Sequence, residues 1–210
     1  MRITSTRTPT STGWAVCWPW AVKWMISLPH WSTLSPLPVN SGNTFLSTRM
    51  WSGWWCAGAT GRSVADLLGE KVVMPLGLEQ TPYYLTDGVG TAFVLGGLNL
   101  TTRDYARFGQ MYLQNGQWQG KQIVPEDWVM ASTTPSAPTQ TGEIGYGYQW
   151  WIPVGANPGE YMARGIYGQY IYIDTARNVV IATNAADRKF RENGVSSQNV
   201  AIFRQIAESL

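Results

Sequence analysis

No Asp or Glu occurs before Asp66, although the 210-residue chain carries 13 acids. The same opening stretch holds eight of the twelve tryptophans, both cysteines (Cys17 and Cys56) and the sole histidine, His30. An ordinary soluble domain is about a quarter charged with both signs mixed, so this boundary divides the chain into two unlike parts. Residues 1–65 carry five bases and no acid, whereas residues 66–210 carry ten bases against 13 acids. The five bases, Arg2, Arg7, Lys23, Arg49 and Arg62, are scattered among Trp, Pro and Ser, a pattern that speaks against a nucleic-acid arm. Pro19 and Lys23 interrupt the apolar stretch from Trp14 to Leu28, no run approaches the roughly 18 apolar residues of a membrane span, and no clean small-x-small cleavage site follows. No targeting segment or membrane helix is expected, and two cysteines of unknown pairing leave the redox compartment open.

From Ala59 the pattern becomes that of a globular protein. Ser63 can cap a helix whose apolar stripe is Val64, Leu67, Leu68 and Val72, ended by Pro75 and Gly77. Gly88, Gly90, Gly96 and Gly97 mark a loop. A second helix starts at Thr101 or Thr102, with Tyr105, Phe108, Met111 and Tyr112 on one face and Asp104 in the first turn, where the helix dipole favours an acid. Asn115-Gly116 closes it, a turn follows at Trp118–Lys121, and Pro125-Glu126-Asp127 opens a third helix. Residues 133–143 read as a surface loop. Strands are expected at Tyr146–Ile152, Gly168–Asp174 and Val179–Thr183, the last two joined through 175–178 with Asn178 left-handed. A closing helix from about Ser197 is expected to turn Ile202, Phe203, Ile206 and Leu210 inward. Trp150, Trp151, Met111 and Met130 are expected as packing residues. The sum is a mixed α/β (α+β) layer structure.

Six strings together resemble the serine β-lactamase-like hydrolases, which include class C β-lactamases, penicillin-binding-protein-like enzymes, esterases and 6-aminohexanoate-dimer hydrolases. They are Ala59-Thr60-Gly61-Arg62-Ser63, Met74-Pro75-Leu76-Gly77-Leu78, Gly96-Gly97-Leu98-Asn99-Leu100, Asp104-Tyr105-Ala106-Arg107-Phe108-Gly109, Tyr146-Gly147-Tyr148-Gln149-Trp150-Trp151 and Gly165-Ile166-Tyr167-Gly168-Gln169. The resemblance implies a β-lactamase/transpeptidase-like antiparallel sheet flanked by helices, here incomplete. It also implies a Ser nucleophile three residues before a basic Lys, a proton-shuttling Tyr box, and a Lys/His-Thr/x-Gly strand box whose backbone joins the oxyanion hole.

Three positions before Lys23, Lys71, Lys121 and Lys189 stand Trp20, Leu68, Trp118 and Ala186, so the chain contains no Ser-x-x-Lys. A Ser/His/Asp triad would rest on His30 alone, and one His with two distant Cys makes no metal site. No catalytic residue and no cofactor is assigned. Tyr167-Gly168-Gln169 occupies the place of the strand box, with the Gln169 N–H as the expected oxyanion donor. On the residues alone Gly168 reads instead as a strand glycine permitting close packing; the resemblance favours the box.

The genetic code offers a cause for the acid-free part. Trp (TGG) and Met (ATG) have one codon each, and reading begins here on the third base. Trp24-Met25-Ile26 then gives Asp-Asp, Trp14-Ala15 gives Gly, Met50-Trp51 gives Val and Trp54-Trp55-Cys56 gives Val-Val. Asn43-Thr44 gives Tyr or His at the place of the missing Tyr box. Residues 1–58 are therefore expected to be a frameshifted lead-in, and residues 59–210 the C-terminal part of a serine hydrolase acting on an ester or amide. Such a chain is expected to be inactive and poorly stable alone.

The parent's partner would be a small ester or amide substrate, with neither nucleic acid nor membrane involved. Whether that substrate is an ester, β-lactam, peptide or linear amide stays open, as does a bacterial periplasmic or cytoplasmic location. The alternative is a non-catalytic binder of a small ligand or cell-wall fragment near Tyr167. A membrane-surface anchor ranks last, because Pro19 and Pro29 break any long amphipathic helix.

Overall fold

In the computed structural model Ser63 starts the helix expected of it. Its Oγ accepts the Asp66 N–H at 3.1 Å and its carbonyl accepts the Leu67 N–H at 3.1 Å. The structure describes residues 58–88, 90–94, 96–136 and 140–210, so the frameshift expectation for residues 1–58 lies almost wholly outside it. The described residues form two units. One runs up to Leu68 and includes Tyr84–Leu98; the other comprises Gly69–Tyr83 and Asn99–Leu210.

In the first unit, helix α1 spans Val64–Leu68. The glycine-marked loop is knitted by its own backbone: Leu85 donates to Gly97 O, and Phe93 and Gly97 donate to Leu85 O and Phe93 O, each at 2.8 Å. Two-residue strands are β1 (Tyr83–Tyr84) and β2 (Leu98–Asn99).

The second unit begins with a π-helical stretch, Gly69–Val73, that no sequence signal announced, and the α-helical turn α2, Met74–Leu76. Gly77 at φ 60° ends it, a left-handed cap that glycine takes without a Cβ penalty. Helix α3 runs Thr102–Leu113, and Asn115 (φ 53°) with Gly116 (φ 83°) turns the chain out of it. Strands β3 (Gln117–Trp118) and β4 (Lys121–Gln122) form a hairpin through Gln119 and Gly120, and α4 covers Glu126–Thr133.

The main sheet is an antiparallel meander of β5 (Gly145–Tyr146), β6 (Trp151–Ile152), β7 (Glu160–Arg164), β8 (Tyr170–Asp174) and β9 (Val179–Thr183), neighbours in chain order. The expected strand Tyr146–Ile152 is therefore two strands. The Gly147 N–H donates to Trp150 O at 2.8 Å and Gln149 turns left-handed at φ 73°, folding the segment on itself. Strand β7 escaped the sequence reading, and β8 starts at Tyr170 rather than Gly168. Asn178 is left-handed at φ 57°, as expected of the hairpin before β9.

Helices cover both faces. Met111 and Tyr112 of α3 join Trp150, Tyr161, Ile171 and Ile173 in one core. At Gly109 an added Cβ would stand 2.6 Å from Val180 Cγ1 and 2.7 Å from Ile171 Cγ2, so only glycine lets α3 lie this close to β8 and β9. On the other face, helix α5 (Val195–Ser209) packs Val200, Phe203 and Ala207 against Met162, Tyr170, Tyr172 and Val179. The expected inward set was one phase off. Phe203 is buried, but Ile202 and Leu210 are 51% and 88% exposed, because the 200/203/207 seam turns them away. Met130 likewise faces outward, 64% exposed. Trp150 fulfils its packing role, its ring centroid 4.5 Å from that of Tyr112 and 5.1 Å from that of Tyr161.

Candidate functional site

Between β7 and β8 the chain makes one tight turn that gathers the three residues singled out by sequence. Gly165 leaves β7 extended, Ile166–Gly168 winds as a single 3-10 turn, and the Gly165 N–H donates to Gln169 O at 2.8 Å to close it. Tyr167 sits at φ 58°, ψ 21°, a left-handed conformation that bulky residues rarely adopt and that costs on the order of 1 kcal/mol or more. Gly168 follows at φ 86° and is buried. It is thus a turn glycine, not a strand glycine. The Gln169 N–H, the expected oxyanion donor, reaches Ile166 O at 3.3 Å, a long hydrogen bond. The Ile166 N–H meets no acceptor among the described residues. Gly165 and Ile166 belong to the string that carries the resemblance, but sequence reasoning assigned them no role in the turn.

A second segment, 184–192, lies against this turn. The Asp187 N–H donates to Tyr167 O at 3.0 Å, and the Thr183 hydroxyl donates to Gly168 O at 3.1 Å. The Gln169 carboxamide donates to Ala185 O and accepts the Ala185 N–H at 3.3 Å. The Tyr167 ring meets Phe190 edge-on with centroids 5.1 Å apart, and the Arg191 guanidinium stands 5.2 Å from the Phe190 centroid. Arg188, Lys189 and Arg191 are exposed. Asp187 Oδ1 accepts the Lys189 N–H at 2.8 Å. The turn is therefore a left-handed, partly exposed backbone corner, walled by an aromatic pair and a basic loop.

The Asp104 string has a different task. Asp104 is fully buried; its carboxylate accepts the Glu79 N–H at 2.8 Å, the Gln80 N–H at 3.4 Å and the Thr101 hydroxyl at 2.8 Å. Arg107 adds an ion pair at 3.1 Å and ties Gly77 O and Glu79. Burial alone would raise this carboxyl's pKa. The Glu79 amide, Thr101, the Gln80 amide and Arg107 outweigh it and hold the group below the usual carboxylate range. Asp104 thus staples the chain after Gly77 to the start of α3.

The sequence model of the beta-lactamase family matches residues 47–198. The chain belongs to the beta-lactamase family. A 6-aminohexanoate-dimer hydrolase of Paenarthrobacter ureafaciens is 30% identical over 137 residues, covering 61% of this chain and 35% of that protein. A solved structure assigned as a 6-aminohexanoate-dimer hydrolase from Bacillus anthracis superposes with a TM-score of 0.67 at 33% identity, covering 75% of this chain and 41% of that one. The octameric penicillin-binding protein homologue from Pyrococcus abyssi, 16% identical, matches with a TM-score of 0.55 over 92% of this chain and 52% of its own. At that identity it speaks for the fold alone. The chain thus spans well under half the length of the two dimer-hydrolase relatives.

This beta-lactamase-family chain brings Tyr167, Gly168 and Gln169 to one corner, yet its full sequence has no Ser-x-x-Lys to set beside them. Among the described residues, no group of three or more His, Cys, Asp or Glu could hold a metal ion. Among them, too, no helix is long and apolar enough to cross a membrane.

Proposed function

We propose that residues 59–210 are the C-terminal, sheet-bearing part of a serine hydrolase for esters or amides, with linear amides the favoured class. The observation that carries this reading is the match to two 6-aminohexanoate-dimer hydrolases at 30% and 33% identity. In the intact enzyme a Ser hydroxyl, deprotonated by its neighbouring base, attacks the carbonyl carbon. The amine or alcohol leaves with a proton, and water then hydrolyses the acyl-enzyme. The turn at Tyr167–Gln169 borders the acyl group. A backbone N–H there, the weakly held one of Gln169 or that of Ile166, polarises the carbonyl oxygen.

This chain has the corner without the nucleophile, base or shuttle tyrosine, so it is inactive by itself. Residues 1–58 are read as the same gene translated one base out of register. Incubating the purified chain with a nitrophenyl ester, a chromogenic cephalosporin and a linear amide tests the first point: turnover dependent on a side chain of this chain would sink it. Sequencing the gene tests the second, since a one-base correction near codons 57–60 must open a frame with Ser-x-x-Lys upstream.

The missing Ser-x-x-Lys also favours a second reading, a non-catalytic binder using the Tyr167 corner. Saturable binding of a small amide without turnover, from a gene with no such corrected frame, would select it.

A further inference from the structure

The contacts of Gln169 point beyond its backbone. Its side chain reaches across to the 184–192 segment and satisfies both polar groups of one residue there, donating to Ala185 O and accepting from Ala185 N. A carboxamide that pairs with one residue's N–H and C=O imitates a neighbouring strand at the point where β9 has ended. It acts where the chain otherwise has little to hold it, because residues 184–186 are exposed. Close approach is also built in: a Cβ on Gly168 would stand 3.2 Å from Ala185 Cβ.

We infer that the Gln169 side chain is a latch, a positioning residue that fixes the 184–192 segment over the 165–169 turn. The latch sets where Asp187 meets the Tyr167 carbonyl and where Phe190 meets the Tyr167 ring. Through them it sets the wall that Phe190, Arg188, Lys189 and Arg191 present to whatever occupies the corner. That last consequence rests on the proposed function; the latch itself does not. Asp187 and Glu192 are the acids in the segment, and the turn contributes none.

Site-resolved hydrogen exchange on the full 210-residue chain tests the inference. Gln169→Ala should speed exchange of the Ala185 and Asp187 amides at least tenfold, while the β8–β9 ladder amides, such as Tyr172 and Ile181, keep their rates. Gln169→Glu supplies a rescue that a merely space-filling role would not give. At neutral pH its carboxylate can accept from Ala185 N–H but faces Ala185 O with no proton to donate. Below its own titration, near pH 4, the neutral acid presents one donor and one acceptor, as the amide does. Protection at 185 and 187, corrected for intrinsic rates, should therefore return as pH falls.

Unchanged rates in Gln169→Ala, or protection in Gln169→Glu that does not depend on pH, overturn the latch. So does parallel loss of protection across the whole sheet, which would make Gln169 a general structural residue. Titration with 6-acetamidohexanoate separates the two readings. If the unmodified chain fails to bind it while exchange behaves as expected, the latch stands and the substrate corner falls.

Discussion

Arg204 of α5 grips Glu160 of β7 with two hydrogen bonds, Nε to Oε1 at 2.8 Å and a terminal nitrogen to Oε2 at 3.0 Å. Glu160 is buried and also accepts from the Tyr172 hydroxyl at 3.0 Å and the Asn157 N–H at 2.9 Å. Arg204 further donates to the carbonyls of Val154 and Gly155, each at 3.2 Å. Every oxygen of the carboxylate is matched, and one ion pair thereby fastens the C-terminal helix to the sheet. The Tyr172 hydroxyl, pushed up by burial and then by the Glu160 charge, stays protonated and keeps donating.

Removing one partner of such a pair leaves an uncompensated buried charge. Arg204→Met is therefore expected to lower the stability of the chain by about 3 kcal/mol, read as a drop in the urea midpoint. Glu160→Gln/Arg204→Met should recover part of that loss, because the glutamine carbonyl can accept the Asn157 N–H while its NH2 donates to the Tyr172 hydroxyl oxygen, without a charge. A double variant less stable than Arg204→Met would show that the charge itself is not the cost.

Asp104 gives a pH dependence with a definite sign. Its folded pKa lies below the unfolded value of about 3.9, so its stabilising share is complete above that value. It fades as pH falls through the depressed folded pKa. Asp104→Asn should cost about 2 kcal/mol at pH 7, and the gap from the parent chain should narrow below about pH 4. Urea midpoints of both chains between pH 7 and pH 3 give the comparison; a gap that widens in acid contradicts the assignment.

Gly109→Ala ordinarily favours a helix by about 0.8–1 kcal/mol. Here the new methyl would meet Val180 at 2.6 Å and Ile171 at 2.7 Å. Overpacking of this kind costs about 1–3 kcal/mol, so the net effect should be a lower thermal midpoint. Gly109→Ala/Val180→Ala should be less destabilised than the sum of its single variants. Strict additivity would mean that the two positions do not touch.

Trp118 Nε1 is buried without a hydrogen-bond partner among the described residues. Such a group carries a desolvation cost of about 1–3 kcal/mol, so Trp118→Phe is expected to stay within about 1 kcal/mol of the parent despite its lost area. Trp150→Phe, by contrast, opens the aromatic cluster of Phe108, Tyr112 and Tyr161 and should cost clearly more. Chemical denaturation of the two variants side by side decides the order.

What the sequence made legible was local. Helix α3 could be read because Thr101, the Tyr105/Phe108/Met111/Tyr112 stripe and Asn115-Gly116 all agree on one element. Strand β7 could not. Its ends are Glu160 and Arg164, and the partner that makes a buried Glu160 tolerable, Arg204, lies 44 residues further on. The phase of α5 was equally hidden, since Ile202/Ile206/Leu210 and Val200/Phe203/Ala207 are rival apolar stripes on one helix. The sheet face of Met162, Tyr170, Tyr172 and Val179 chooses between them. At the candidate site the three residues were legible from the resemblance, but their turn was not. The left-handed Tyr167 is held by tertiary contacts with the 184–192 segment, which no local signal encodes.

Strand β8 is buried from end to end, with Ile171 and Ile173 in one core and Tyr170 and Tyr172 in the other. In a half-wetted strand a one-residue slip exposes a single apolar face. A one-residue slide of β8 would instead thrust tyrosines into the isoleucine layer and isoleucines into the tyrosine layer at the same moment. Its alignment is thus locked twice over, and the corner that immediately precedes it inherits a fixed starting point.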